Sequence, residues 1–508
     1  MIIKKLGCIF IMLGALTCSG AQAQKTGGSI DIAMPGEPPT LDPMASLVTS
    51  LYTITQHYFE MLYNLDENQN VVPGLAKELP EISSDGLTYT IPLREGVPFH
   101  DGQVMEAADV VASLKRWMTV ATKGKDLAQY ISDVSERDNH TVVIKLSRPY
   151  SPLLVTLAHY SNTPAVIMPR DNVDMPLKRI IGTGPYKLKD YKPDQYIQLE
   201  KFKDYRSPTG PASACSGEVK QYLDEIRFRP IPDVSTRVEG IIAGQYQYAD
   251  QLPVELFKSI SENANVEPVF IKHGFQVLML NVGAGVLSDI RLRKAVLASL
   301  NMEDMLIAAF GTKDFYSVDG ALFPKGSPWY TSAGVSGNYN QGDIEKAQKL
   351  LKEAGYDGTP IRILTSRQYD HLYKMTQVAA EYMKAAGFNV DLQVMDWASL
   401  SQRRADPKLW DIFATFIGYQ VDPSGLGVLN PKYLTGWASP EKDAAVSEFL
   451  QEPSLEKRVK IYEKIQTLLY NDVPMIKVGN FTNLAARSPK LTGAYPGVNT
   501  CFGNASLE

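Results

Sequence analysis

Polar and apolar positions change period several times along the chain, and each change predicts an element. Residues 29–34 (SIDIAM) alternate with the two-residue period of a strand, and Pro35, Gly36, Pro38 and Pro39 then force an extended loop. Residues 87–91 and 141–146 are further β-rich runs. Between them, Val110, Leu114, Trp117 and Met118 fall on one face of a helix predicted over 106–118. The result is strand, helix, strand within a small unit.

From Gln276 to Val478 strands and helices alternate. Strands are predicted over 276–280, 361–364, 389–394 and 411–416, and helices over 289–309, 344–354 and 377–386. Asp289 suits an N-cap because its oxygen accepts from an orphan N–H, and Gly355 and Gly387 sit where a helix needs a left-handed stop. This alternation predicts an α/β fold with a mostly parallel sheet covered on both faces. Ligands of such sheets bind beyond the carboxyl ends of the strands.

A length of 508 residues exceeds one ordinary core, so two or more lobes are expected. The formal charge is -5, and with no basic block nothing neutralises phosphates, which excludes nucleic acid and anionic lipid as partners. Lys4 and Lys5, an apolar run over 6–16 and Ala21-Gln22-Ala23 read as a cleaved signal peptide over 1–23, giving a mature chain from Gln24. A lipid anchor through Cys18 is the alternative, though Leu16 and Thr17 suit that cleavage poorly. No later stretch approaches the ~20 apolar residues of a membrane span, so an exported, periplasmic, soluble product is expected. The mature chain keeps Cys215 and Cys501, which form either one disulfide or two unpaired thiols.

Chemistry of an enzyme is sparse. There is no GxSxG or HExxH, the six histidines are scattered, and no spacing suits a metal, so neither metal nor cofactor is expected. Ser439 with Lys442 and Ser454 with Lys457 match SxxK, but Ser336-Gly337-Asn338 and Lys25-Thr26-Gly27 occur in the reverse of the penicillin-binding order, and Ser454 serves better as a helix cap. An exported serine hydrolase is therefore the weaker alternative to a non-enzyme.

DGLTYTIPLREGVPFHDG over 85–102, followed by ADVVASLKR over 108–116, resembles the family 5 solute-binding proteins of ABC importers, which bind dipeptides and oligopeptides in the periplasm. TLDP over 40–43, GTGPY over 182–186 with the later Tyr205, and DIRLRKA over 289–295 fall in that family's order. The resemblance implies a two-lobed clamshell of type II, cluster C-like, with lobe I over 24–272, a peripheral subdomain near 63–179, lobe II over 273–478, and a return to lobe I over 479–508. It implies a monomer that closes on a small solute and delivers it to a membrane permease with its ATPase. A short peptide is the preferred cargo; an oligosaccharide, opine, metal chelate or haem is the alternative.

A peptide is a zwitterion, so its ammonium needs a carboxylate and its carboxylate needs Lys or Arg. The loop 418–425 follows a strand of the predicted sheet, and in the family a matching Asp-Pro segment receives the peptide amine, which implies that role for Asp422. An Asx turn before Pro423 is the plainer reading of the same residue. For the opposite charge Arg404 and then Arg403, in the helix after Asp396-Trp397, are the candidates, the double Arg being similar to a branch of the family; Arg367 is a third. A solvated helix face is the alternative for the pair. Tyr419, Trp397 and Trp437 are candidate aromatic walls, or plain core. Residues 42–50 are expected to face the cleft from lobe I.

Overall fold

The computed structural model describes residues 25–497 and 499–508, so the expected leader and Cys18 lie outside the described residues. One eleven-stranded mixed sheet runs through the molecule. At its centre Glu267–Leu280 and Met475–Arg487 pair antiparallel along nearly their whole length. On one side of this pair stand Ile412–Gly418, Ile361–Thr365 and Val390–Val394; on the other stand Tyr248–Leu252, Ser29–Met34, Glu225–Pro230, Tyr196–Lys201 and Tyr186–Lys192, and the short Tyr316–Ser317 pairs with Met475–Arg487 off this row. Each half of the clamshell thus carries its own strands, and the chain passes between halves along two paired strands. Paired crossings of this kind form a hinge.

The ladder slips between Lys272 and Gly274, at that crossing. Gly274 is required there: a Cβ would lie 2.0 Å from the Ile417 carbonyl oxygen of the neighbouring strand.

The half beyond Gly274 is covered on both faces, as the alternation predicts. Successive residues of one strand point to opposite faces, so Leu278, Ile363 and Ile412 join the core under Met302–Phe310 and Asp370–Ala385. Val277, Leu364 and Phe413 join a second core under Pro440–Gln451 and Leu455–Asp472. The sheet is less parallel than expected. Val390–Val394, Ile361–Thr365 and Ile412–Gly418 run parallel, but Ile412–Gly418 meets the crossing strand antiparallel. The helix predicted over 289–309 is also two helices, Ile290–Ser299 and Met302–Phe310, because the Asn301 side chain accepts from the Asp304 N–H and starts a new helix.

The other half holds the peripheral unit. Its four-stranded antiparallel sheet orders Glu81–Ile82, Thr88–Pro92, Thr141–Leu146 and Ile131–Asp138, with Ala107–Val120 packed against it. That helix opens with a reciprocal cap: the Glu106 side chain accepts from the Asp109 N–H, and Asp109 Oδ2 accepts from the Glu106 N–H at 2.9 Å. The 40–43 motif is structural. Asp42 is buried, and its carboxylate accepts from Arg116 Nη2 at 2.5 Å. Arg291 pairs with Asp289 at 2.6 Å, and Arg293 donates to the Leu287, Ser288 and Asp472 carbonyls, so neither waits for an anion.

Candidate functional site

A cavity of about 950 Å³ lies between the halves. One wall comes from Phe416, Gly418, Tyr419, Gln420 and Val421, at the carboxyl end of Ile412–Gly418, with 324–327 beside them. The opposite wall comes from Tyr52, Gln56, the segment 159–162 and the C-terminal return at Tyr495 and Asn499, and Lys272 and His273 at the crossing form its base. The halves touch beside it, where the Ser151 N–H donates to the Leu450 carbonyl at 2.8 Å.

Of the expected contact residues, Tyr419 alone lines this cavity among the described residues. Its N–H donates to the His273 carbonyl at 3.0 Å, and burial pushes its phenol up to about 12. The other assignments need correction. Asp422 is buried: Oδ2 accepts from Arg458 Nη2 at 2.7 Å and Oδ1 from the Ser424 N–H at 2.9 Å, so its charge is already matched. The Arg458 guanidinium lies over the Phe449 and Trp329 rings, at 4.2 and 4.9 Å. The Asx turn is real, and the carboxylate holds the loop.

Arg404 lies 5.4 Å from the Trp397 and Phe413 ring centres, and Trp397 packs edge-on against Tyr369 at 4.8 Å, so both belong to a packed surface cluster. Arg403 donates to the Leu409 carbonyl at 3.3 Å, and Arg367 donates to the Tyr373 hydroxyl at 3.0 Å while lying over its ring. Trp437 is core, 1% exposed, with its Nε1–H donating to Asp472 at 2.8 Å.

Two features of the cavity escaped the sequence analysis. The first is the 159–163 turn. Asn162 and Thr163 both take left-handed backbone, φ 51° and 61°, which a β-branched threonine adopts only under constraint. The Tyr52 hydroxyl accepts from the Thr163 N–H at 2.9 Å and Trp117 Nε1–H donates to the Thr163 carbonyl at 2.7 Å, so tertiary bonds impose the shape. Strain maintained in this way marks functional sites. Behind the turn Lys123 Nζ lies 3.0 Å from His159 Nδ1, and Ser161 Oγ lies 3.1 Å from Nε2.

An ammonium only donates, so Nδ1 accepts from Lys123 and the ring proton sits on Nε2; Ser161 Oγ lies 3.1 Å from Nε2 and 3.4 Å from Nδ1. Burial lowers Lys123 to about 8, and burial together with the Lys123 charge holds His159 well below its ordinary range. Among the described residues no carboxylate pairs with Lys123.

The second feature is Glu60. It contributes to the cavity wall, accepts from the Tyr205 hydroxyl at 2.9 Å on Oε1, and keeps Oε2 buried from solvent without a hydrogen-bond partner. Burial pushes its carboxyl up to about 7 against the opposing pull of Thr183, Tyr205 and Arg94. The one signal for the turn in the sequence is the polar run His159 to Thr163, which interrupts an apolar stretch before Pro164; for Glu60 there is none.

Two lobes around a shared cavity, with residues 70–439 matching the family described as bacterial extracellular solute-binding proteins, family 5 Middle, decide the kinship. The chain belongs to that family. Among curated family 5 relatives it is 28% identical over 482 residues to a probable peptide ABC transporter periplasmic-binding protein, y4tO, of Sinorhizobium fredii, covering 90% of this chain and 89% of that one. It is 27% identical to the glutathione-binding protein GsiB of Pectobacterium atrosepticum, covering 91% and 90%. The fold matches DppA of Helicobacter pylori, solved in complex with the peptide STSA, with a TM-score of 0.77 at 22% identity over 95% of this chain and 99% of that chain. Family 5 proteins bind solutes for transport, and among the described residues of this one no helix is long and apolar enough to cross a membrane.

Proposed function

We propose that this protein is the periplasmic substrate-binding component of an ABC importer, and that it takes a short peptide. The observation that carries this is the cavity walled by both lobes, in a family whose similar members are named for peptide and glutathione binding. The lobes are 24–272 with 479–508, and 273–478, joined at the register slip after Lys272. Ligand that touches both walls binds the closed form better than the open one, and that difference drives closure. The cargo then passes unaltered to a permease whose ATPase supplies the energy.

Within the cavity the two charged ends of a peptide find complementary groups. The Ser161 hydroxyl, next to the His159–Lys123 pair, donates to the carboxylate, whose charge balances a buried cation that otherwise lacks a counter-charge. Glu60, with one oxygen unpaired, accepts the ammonium, whose charge restores its ionised form. Backbone groups of 418–421 pair with the extended peptide.

Native mass spectrometry of protein purified from the periplasm tests the cargo. A di- or tripeptide mass is expected; a sugar, opine or chelate mass would replace the reading. Against a defined tripeptide, Ser161→Ala should lose about tenfold or more in affinity, as for a hydrogen bond to a charged group. Amidation of the peptide's carboxyl end should cost wild type as much and the variant little. Equal losses in both proteins would reject the carboxylate assignment.

A further inference from the structure

The C-terminal return lies along the loop that carries Cys215. Asn504 Oδ1 accepts from the Lys220 N–H at 2.7 Å, and Asn504 Nδ2 donates to the Glu218 carbonyl at 3.0 Å. On the two sides of this seam, Tyr495 and Cys501 form one antiparallel bridge and Ser213 and Ser216 another, the latter turning the chain tightly around Cys215. Both cysteines line the same cavity. Cys215 is exposed and Cys501 half-buried, each a free thiol. Among the described residues no group of three or more His, Cys, Asp or Glu side chains could hold a metal ion.

We propose that Cys215 and Cys501 are oxidised to a disulfide in the exported protein, closing the lobe I end of the cavity and pinning the C-terminal return to the 207–221 loop. The oxidant is a protein disulfide of the thiol-oxidase class. Its S–S bond is attacked by the Cys501 thiolate, and one thiol of the oxidase leaves. The Cys215 thiolate then attacks the mixed disulfide at the Cys501 sulfur and expels the second oxidase thiol. Two protons and two electrons pass to the oxidase, which ends as a dithiol. The bond spans most of the chain, so it removes much freedom from the unfolded state. The same seam anchors Asn499 and Tyr495, which line the cavity, so the bond stiffens a wall that ligand presses on. None of this depends on which cargo is carried.

The test is the full chain, expressed with its leader, harvested from the periplasm, denatured and treated with iodoacetamide with and without prior reductant. Intact mass should show no carbamidomethyl group on the processed chain without reductant and one on each cysteine after reduction. Peptide mapping should recover Cys215 linked to Cys501. Alkylation of both thiols in the unreduced protein, or linkage of either to another molecule, would overturn the proposal. Thermal melting supplies a second readout: the Cys215→Ser, Cys501→Ser double variant should melt several degrees below wild type without reductant and level with it in reductant. Equal melting in both conditions would contradict the pinning role.

Discussion

Asp422 shows how one residue type serves opposite ends. A carboxylate before proline, in a loop at the edge of a sheet, reads as a ligand partner until Arg458 is placed beside it, and that contact joins positions with no local signal to connect them. Removing one partner of a buried pair strands the other charge and costs about 3–5 kcal/mol. Asp422→Ala should therefore lower stability by that amount in chemical denaturation, with peptide affinity of the folded fraction within about threefold of wild type. A normal denaturation midpoint with lost binding would return Asp422 to the ligand.

His57 is a second structural polar group. Nδ1–H donates to the Ile54 carbonyl at 3.2 Å, and Nε2 accepts from the Phe502 N–H at 2.9 Å, so the ring is held neutral beneath Phe502 and Phe228. Burial lowers it to about 4, against 6.5 for a free histidine. The unfolded chain therefore takes up the proton first as pH falls. The contribution of His57 to stability, roughly 3 kcal/mol, is complete above pH 6.5 and drains away toward pH 4. His57→Gln should cost stability at pH 7.5 and progressively less as pH drops to 4.5. A melting-temperature difference that stays constant over that range would contradict the assignment.

At the scale of elements the sequence is legible where the contacts are local. Ser29–Met34, Thr141–Leu146 and Ile344–Ala354 lie where period and caps place them, and the left-handed Gly355 ends its helix as expected. The crossing strand was visible only from Gln276 onward. Its earlier part, over Val269, Phe270, Ile271 and Lys272, alternates buried with exposed because one face stays open, while the later part is buried on both. Gly274 between them looks like a terminator, yet it marks the place where two strands come too close for a side chain. The break at Leu300–Asn301 was missed for the opposite reason: the apolar face continues through it, and only the Asn301 cap betrays the new helix. The strained turn at Asn162–Thr163 was out of reach, because its shape is imposed by Tyr52 and Trp117 from other elements.

At the scale of the whole molecule two packed bodies are joined by two paired strands, with a cavity between them. One core lies wholly in the first half and one wholly beyond Gly274, while a third runs through both, joining Ala33, Ala249 and Leu252 to Leu278 and Ile363; the central ladder slips after Lys272 and again after Gln276. Family, fold and the two-lobed plan were readable from the motifs; the cavity lining was not, since it gathers loops from both ends of the chain. Small-angle X-ray scattering on protein stripped of ligand by unfolding and refolding, before and after saturation with a bound tripeptide, tests closure most directly. The radius of gyration should contract on binding and re-expand when the peptide is dialysed away. Profiles that superimpose at saturating, calorimetrically verified occupancy would contradict capture by closure.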